Sequence, residues 1–110
     1  MGQFVKGDVV VVSFPFSDLS QTKRRPALVL AAIEGDDVIL CQITSQNRPG
    51  AYSVPLDRAD FVAGGLDRAS WIRPNRIFAA DQGIIAYRAG RVSEVRLREV
   101  LGRVVAILEP

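Results

Sequence analysis

The chain has 110 residues, 48% of them hydrophobic and 24% charged, with a net charge of +2. That length and composition predict one folded domain over residues 1–110, able to build its own core. With no histidine and one cysteine, an internal disulfide and a His/Cys zinc site are both excluded. Acid–base chemistry is left to arginines, carboxylates, hydroxyls, amides or water.

A charge excess this small does not name nucleic acid as a partner, but its make-up points that way. Of the 14 cations only Lys6 and Lys23 are lysines, and arginine presents a planar fork that matches phosphate oxygens where lysine presents a point charge. The opening residues, Met1 to Asp8, hold no long apolar segment ahead of Lys6. No signal peptide and no transmembrane helix are expected, which makes the cytoplasm the expected location and excludes a membrane partner.

Gly7-Asp8 opens onto Val9 to Phe14, a β-branched run that predicts a first strand. Pro15-Phe16 ends it, and Ser17 to Thr22 form a polar loop. Lys23-Arg24-Arg25 follow, with Pro26 expected at the first position of a second strand that continues as Ala27 to Ile33. Three cations are thus expected at the mouth of a buried strand. A solvated loop tip and an anion site both remain open there.

Glu34 to Asp37 make a turn, and Val38 to Thr44 a third strand in a hairpin with the second. Ser45 to Gly50 are a polar loop, and Tyr52 to Leu56 a short edge strand containing a proline. Asp57 to Gly65 read as one helical turn ended by glycine. Ala69 to Pro74 resume a strand, Asn75 to Ala80 continue extended after a proline break, and Asp81 to Gly83 turn into Ile84 to Arg88. Ala89-Gly90 read as a further break before Arg91-Val92.

In the last segment Leu97, Val100, Leu101, Val104 and Leu108 recur on one face of a helix. Ser93 is its N-cap and Glu94 lies in its first turn. Gly102 weakens it by about 1 kcal/mol relative to alanine. Val105 and Ile107 broaden the apolar face, leaving surface for a partner. Short antiparallel strands closed by this helix predict a mainly β fold, a small barrel or curled sheet.

Polar residues collect at three strand ends. These are Arg24 and Arg25, then Thr44 and Ser45, then Arg73 and Asn75 flanking Pro74. Should the ends meet at one rim, they suit phosphate. Guanidinium groups neutralise its charge and hydroxyls donate to its oxygens. Asn75 suits a base edge or a hydroxyl. RNA could then be cut by its own 2′-OH, a route closed to DNA. Plainer roles stand beside these. Arg25 suits an ion pair with an acid such as Asp81, Thr44 fits a strand by propensity, Ser45 is a common turn residue, and Arg73 suits a surface ion pair. Trp71 and Tyr52 have faces that stack on bases, although a lone strand tryptophan is more often core.

Gly7-Asp8-Val9-Val10, Phe14-Pro15-Phe16-Ser17-Asp18-Leu19, Lys23 to Leu30 and Ile43-Thr44-Ser45 together resemble the PemK/MazF family of toxin endoribonucleases, the toxin halves of type II toxin–antitoxin pairs. The resemblance covers nearly the whole chain. It implies an SH3-like barrel with a C-terminal α-helix, a homodimer, and cofactor-free, metal-independent cleavage of single-stranded RNA. It also implies inhibition by an acidic antitoxin segment laid in the RNA groove. Operator DNA, bound only together with that antitoxin, stands as an alternative partner.

By the same resemblance Arg25 is the acid or base and charge stabiliser, Thr44 supports the phosphate, and Arg73 aligns with a catalytic arginine of some members. Asn75 stands where those members have an acid, and the first-loop histidine of others has no counterpart here. Lys23 and Arg24 form a steering patch for the RNA backbone, with Ser45, Gln46, Asn75 and Arg76 as further RNA contacts. Two alternatives are a non-enzymatic toxin that binds a protein such as gyrase, and a DNA-binding component of antitoxin-dependent repression.

Overall fold

The run Val9 to Val12 lies at the heart of the sheet because both of its faces are covered. In the computed structural model, which describes residues 3–15, 22–46 and 50–110, Val9 packs in one apolar cluster while Val10 and Val12 pack in another. Successive side chains of a strand point to opposite faces, so a strand buried on both sides reads as a continuous apolar run. Leu28 and Leu30 join Val9, while Ala27 and Val29 join Val10.

Seven strands form a single sheet. They are β1 (Asp8–Pro15), β2 (Thr22–Ala32), β3 (Asp37–Thr44), β4 (Val54–Leu56), β5 (Phe61–Gly64), β6 (Ser70–Asp81) and β7 (Ile85–Val92), followed by helix α1 (Glu94–Leu108). The spatial order is β4-β6-β3-β2-β1-β7-β5, and every pairing is antiparallel. The expected mainly β fold is therefore a curled sheet, a half-barrel with β4 and β5 at its edges. Leu97 and Val100 of α1 are buried in the first cluster, with Leu101 and Val104 packed against it. No helix among the described residues is long and apolar enough to cross a membrane.

Four expectations need correction. First, β2 begins at Thr22, four residues early, so Lys23, Arg24, Arg25 and Pro26 pair with Phe14, Ser13, Val12 and Val11. The cations belong to a ladder and not to a loop end. Pro26 is tolerated inside the strand because the ladder to β3 starts only at Ala27, leaving one flank open where a missing N–H costs least. Second, the turn after Asp57 is a 3-10 turn at Arg58–Asp60 that gives way to strand β5. Third, β6 runs unbroken through Pro74. Fourth, β7 runs through Gly90, which is there for space: a β-carbon would lie 2.5 Å from the Ala63 carbonyl oxygen of β5. Of the expected loops Ser17 to Thr22 and Ser45 to Gly50, residues 17–21 and 47–49 lie outside the described residues.

The Gly-Asp opening has a structural role. Gly7 has a φ of 97°, a left-handed conformation that favours glycine. The Asp8 carboxylate, 1% exposed, accepts the Val5 N–H at 2.9 Å and lies 3.2 Å from Arg88 Nε and 3.6 Å from Arg91 Nη2. At the other end Ser93 caps α1 as expected, its hydroxyl accepting from the Arg96 N–H at 3.2 Å. Arg96 then reaches Asp60 at 2.9 Å and ties the helix to the 3-10 turn.

Candidate functional site

Strand alternation sets up the site. Arg25 lies two residues before Ala27 of the second cluster, and Gln42 and Thr44 lie two and four residues after Leu40 of the same cluster. Arg25, Gln42 and Thr44 therefore share one face, opposite the face that carries α1. Beyond the last paired residue of β3 the chain turns sharply. The Thr44 Oγ1 accepts the Gln46 N–H at 3.1 Å, a short-range turn of the kind threonine favours.

Arg73 is delivered by a bulge. Along β3 and β6, Cys41 pairs with Ile77 but Ile43 pairs with Ile72. Residues 73–76 thus all lie opposite Gln42, where a regular ladder would have one residue. Pro74 has no N–H to give such a ladder, and bulges re-aim side chains. The Cys41 thiol donates to the Arg73 carbonyl oxygen at 2.9 Å. Burial pushes that thiol up to about 12, so it stays protonated and keeps donating.

These elements bound a cleft of about 470 Å³ lined by Arg24, Arg25, Thr44, Ser45, Gln46 and Arg73. Six of the nine residues expected to act together are thereby brought together. Lys23, Asn75 and Arg76 do not line it. Arg76 borders a separate depression of about 230 Å³ with Gln42 and Phe78, and Asn75 is exposed on the bulge. Trp71, paired with Thr44, is half-buried, and Tyr52 is exposed.

Seven cleft residues were not anticipated as such, among them Pro26 and Ile43, the neighbours of Arg25 and Thr44. Gln42 escaped because it sits inside an apolar strand. Leu66, Asp67 and Arg68 come from the β5–β6 connection, and Ser70 is the first residue of β6. Nothing in that stretch marks it as functional, and only the return of β5 onto β7 brings it to the cleft.

The electrostatics of the cleft are one-sided. Arg88, Arg91, Arg96, Arg98 and Arg103 each pair with a carboxylate. Arg24, Arg25, Arg68 and Arg73 have no ion pair among the described residues. Asp81, raised as a partner for Arg25, instead accepts the Gly83 N–H at 2.6 Å. Unpaired guanidinium groups around a concave, polar surface make an anion site. Among the described residues no group of three or more His, Cys, Asp or Glu could hold a metal ion.

A curled antiparallel sheet backed by a C-terminal helix, with an arginine-lined cleft across its strand ends, defines a small β protein whose cleft is suited to an anion. The chain belongs to the PemK-like, MazF-like toxins of type II toxin–antitoxin systems, whose family model matches residues 5–108. No curated protein matches it in sequence.

Solved structures show the same fold at low identity. The form-III crystal structure of MazE–MazF from Deinococcus radiodurans superposes with a TM-score of 0.78 at 20% identity, covering 96% of this chain and 95% of the other. An endoribonuclease from a mycobacterial species gives 0.75 at 13% identity, with 98% and 93% covered. A mycobacterial endoribonuclease in complex with its cognate antitoxin gives 0.74 at 12%, with 98% and 95% covered.

Proposed function

We propose that the protein is an endoribonuclease toxin that cleaves single-stranded RNA in the Arg25–Thr44–Arg73 cleft, without a metal, using the substrate's 2′-OH as nucleophile. The observation that carries this reading is the convergence of Arg24, Arg25, Arg68 and Arg73 on one cleft, none with an ion pair among the described residues. A polyanion is the ligand such a surface suits.

In the proposed step the 2′-oxygen bonds to phosphorus and the bond from phosphorus to O5′ breaks. The 2′-hydroxyl proton ends on O5′, leaving a 2′,3′-cyclic phosphate and a 5′-hydroxyl. Guanidinium groups stay protonated in proteins. Arg25 and Arg73 therefore act as donors to the phosphate oxygens, where negative charge builds up in the transition state. Thr44 helps to hold the phosphate from the end of β3. Lys23 and Arg24 steer the RNA backbone, Ser45 and Gln46 contact it beside the cleft, and Asn75 and Arg76 extend contact along the bulge.

The protein acts as a homodimer in the cytoplasm and is neutralised by an acidic antitoxin. The mycobacterial endoribonuclease seen with its cognate antitoxin and the family match support that partner. The test is incubation of the purified protein with mixed-sequence RNA in EDTA, beside an Arg25→Ala variant. Cleavage by the wild type alone is the expected result, and RNA left intact by the wild type across varied sequences sinks the proposal.

A further inference from the structure

Asp67 is the one carboxylate lining the cleft among the described residues, and it faces a site dominated by arginines. Phosphate binding does not explain it, because a carboxylate repels phosphate. Nor does it neutralise a neighbour, since it forms no ion pair with any of the four cleft arginines among the described residues. Among the described residues it is left as an unpaired acceptor on the wall of the cleft.

Its position is also held. Gly64 has a φ of 62°, and a β-carbon there would clash with the Ala89 carbonyl oxygen, so β5 turns out of the sheet at a point only glycine fits. The Gly65 N–H donates to that same oxygen at 3.1 Å. Leu66 packs against the core. The Ser70 hydroxyl, almost fully buried, donates to the Arg68 carbonyl oxygen at 3.0 Å. Asp67 thus projects from a short connection anchored on both sides, the rigid support a recognition residue requires.

We infer that Asp67 selects guanine at one position of the bound strand, an inference that rests on the cleft being an RNA site. Single-stranded RNA exposes the Watson–Crick edges of its bases. Guanine alone presents two adjacent donors there, N1–H and N2–H, which match the two oxygens of a carboxylate. Cytosine and adenine place a ring-nitrogen acceptor beside their single amino group, and uracil flanks N3–H with two carbonyl oxygens. Each of those acceptors repels the carboxylate. The surrounding arginines hold the phosphates while Asp67 reads the base, the division of labour between positioning and specifying contacts.

The test separates binding from cleavage. A randomised pool of six-nucleotide 2′-fluoro RNAs, which lack the attacking hydroxyl, is passed over wild-type and Asp67→Asn protein, and the bound fraction is sequenced. The wild type should enrich guanine at one position by about ten-fold, the discrimination expected of one bidentate contact. Asp67→Asn should lose that enrichment while melting at the wild-type temperature, and inosine, which lacks the N2 amino group, should weaken wild-type binding when placed there.

Guanine enrichment retained by Asp67→Asn, no enrichment by the wild type, or no RNA bound at all would each overturn the inference. Guanine-selective binding without cleavage of ordinary RNA would instead sink the ribonuclease reading and leave the base contact standing. Cleavage with unchanged selectivity in Asp67→Asn would do the reverse.

Discussion

The Cys41 thiol donates a 2.9 Å hydrogen bond to the Arg73 carbonyl oxygen across the break in register between β3 and β6. It joins the only cysteine to the backbone of a cleft arginine. Cys41 is fully buried and its thiol is pushed up to about 12 by that burial. A thiol-specific reagent at pH 8 should leave the native protein unlabelled and label it fully in denaturant. Cys41→Ala loses the bond and some packing and should cost about 1–2 kcal/mol in urea melts. It should also reduce RNA cleavage by more than RNA binding, because the bulge carrying Arg73 loosens.

Arg25 is half-buried, unpaired among the described residues, and held in the β1–β2 ladder opposite Val12. Arg25→Ala should therefore leave the melting temperature nearly unchanged while lowering kcat by roughly 10²–10³-fold, the usual effect of removing one transition-state donor. Arg25→Lys should recover little, since a point charge cannot reproduce the fork. A kcat within a few-fold of wild type in either variant would remove Arg25 from the chemistry.

Salt dependence measures how many of the cleft arginines meet phosphate. Affinity for single-stranded RNA should fall log-linearly with salt, by a slope of about 0.7 for each phosphate neutralised. Arg24→Ala, Arg68→Ala and Arg73→Ala should each flatten that slope by about one such step. Arg98→Ala, which breaks only an ion pair with Glu94 on α1, should leave it unchanged.

Asp8 tests the structural reading of the Gly-Asp opening. Its carboxylate is buried and serves Val5, Arg88 and Arg91 together. Asp8→Ala leaves a backbone N–H without its acceptor and should cost about 2 kcal/mol, the arginines being exposed enough to return to water. Calorimetry should show the lowered stability, and RNA contacts should be unaffected at temperatures where the variant is folded.

Acid should loosen α1 through Asp60. Burial alone would raise this carboxyl, but the backbone hydrogen bond involving Asp57 and the Arg96 guanidinium outweigh it and hold it below its ordinary value of 3.8. A native carboxyl that binds its proton less readily than the unfolded one adds stability above the ordinary value, and loses it as pH falls through the native value. Wild-type stability should thus drop below about pH 4 by more than that of Asp60→Asn. Parallel pH curves for the two proteins would show that the Asp60–Arg96 pair does not contribute.

Much of the fold was legible because it depends on short-range rules. The valine run of β1, the hairpin of β2 and β3, the proline-bearing edge strand β4 and the Ser93-capped helix follow from strand propensity, turn residues and periodicity. The errors came where tertiary context overrules local signals. Pro26 looks like a strand start, and Pro74 and Gly90 look like breaks, yet each lies within a strand. Pro26 has an open flank, Pro74 sits in a bulge, and Gly90 makes room for a neighbouring backbone.

The sequence by itself determined the chemical vocabulary of this protein. An arginine-rich chain without histidine, and with one cysteine, can bind phosphate but cannot build a His/Cys metal centre. Its motifs also named the family. Only the tertiary structure decided which polar residues share a cleft, because that depends on strand order and register, which bring together residues far apart in the chain. It drew Arg25, Thr44 and Arg73 together, left Lys23, Asn75 and Arg76 outside, and added Asp67 and Arg68 from the β5–β6 connection. The Lys23 to Pro26 stretch is likewise a ladder segment and not a loop end, since β1 pairs with it and holds its backbone in place.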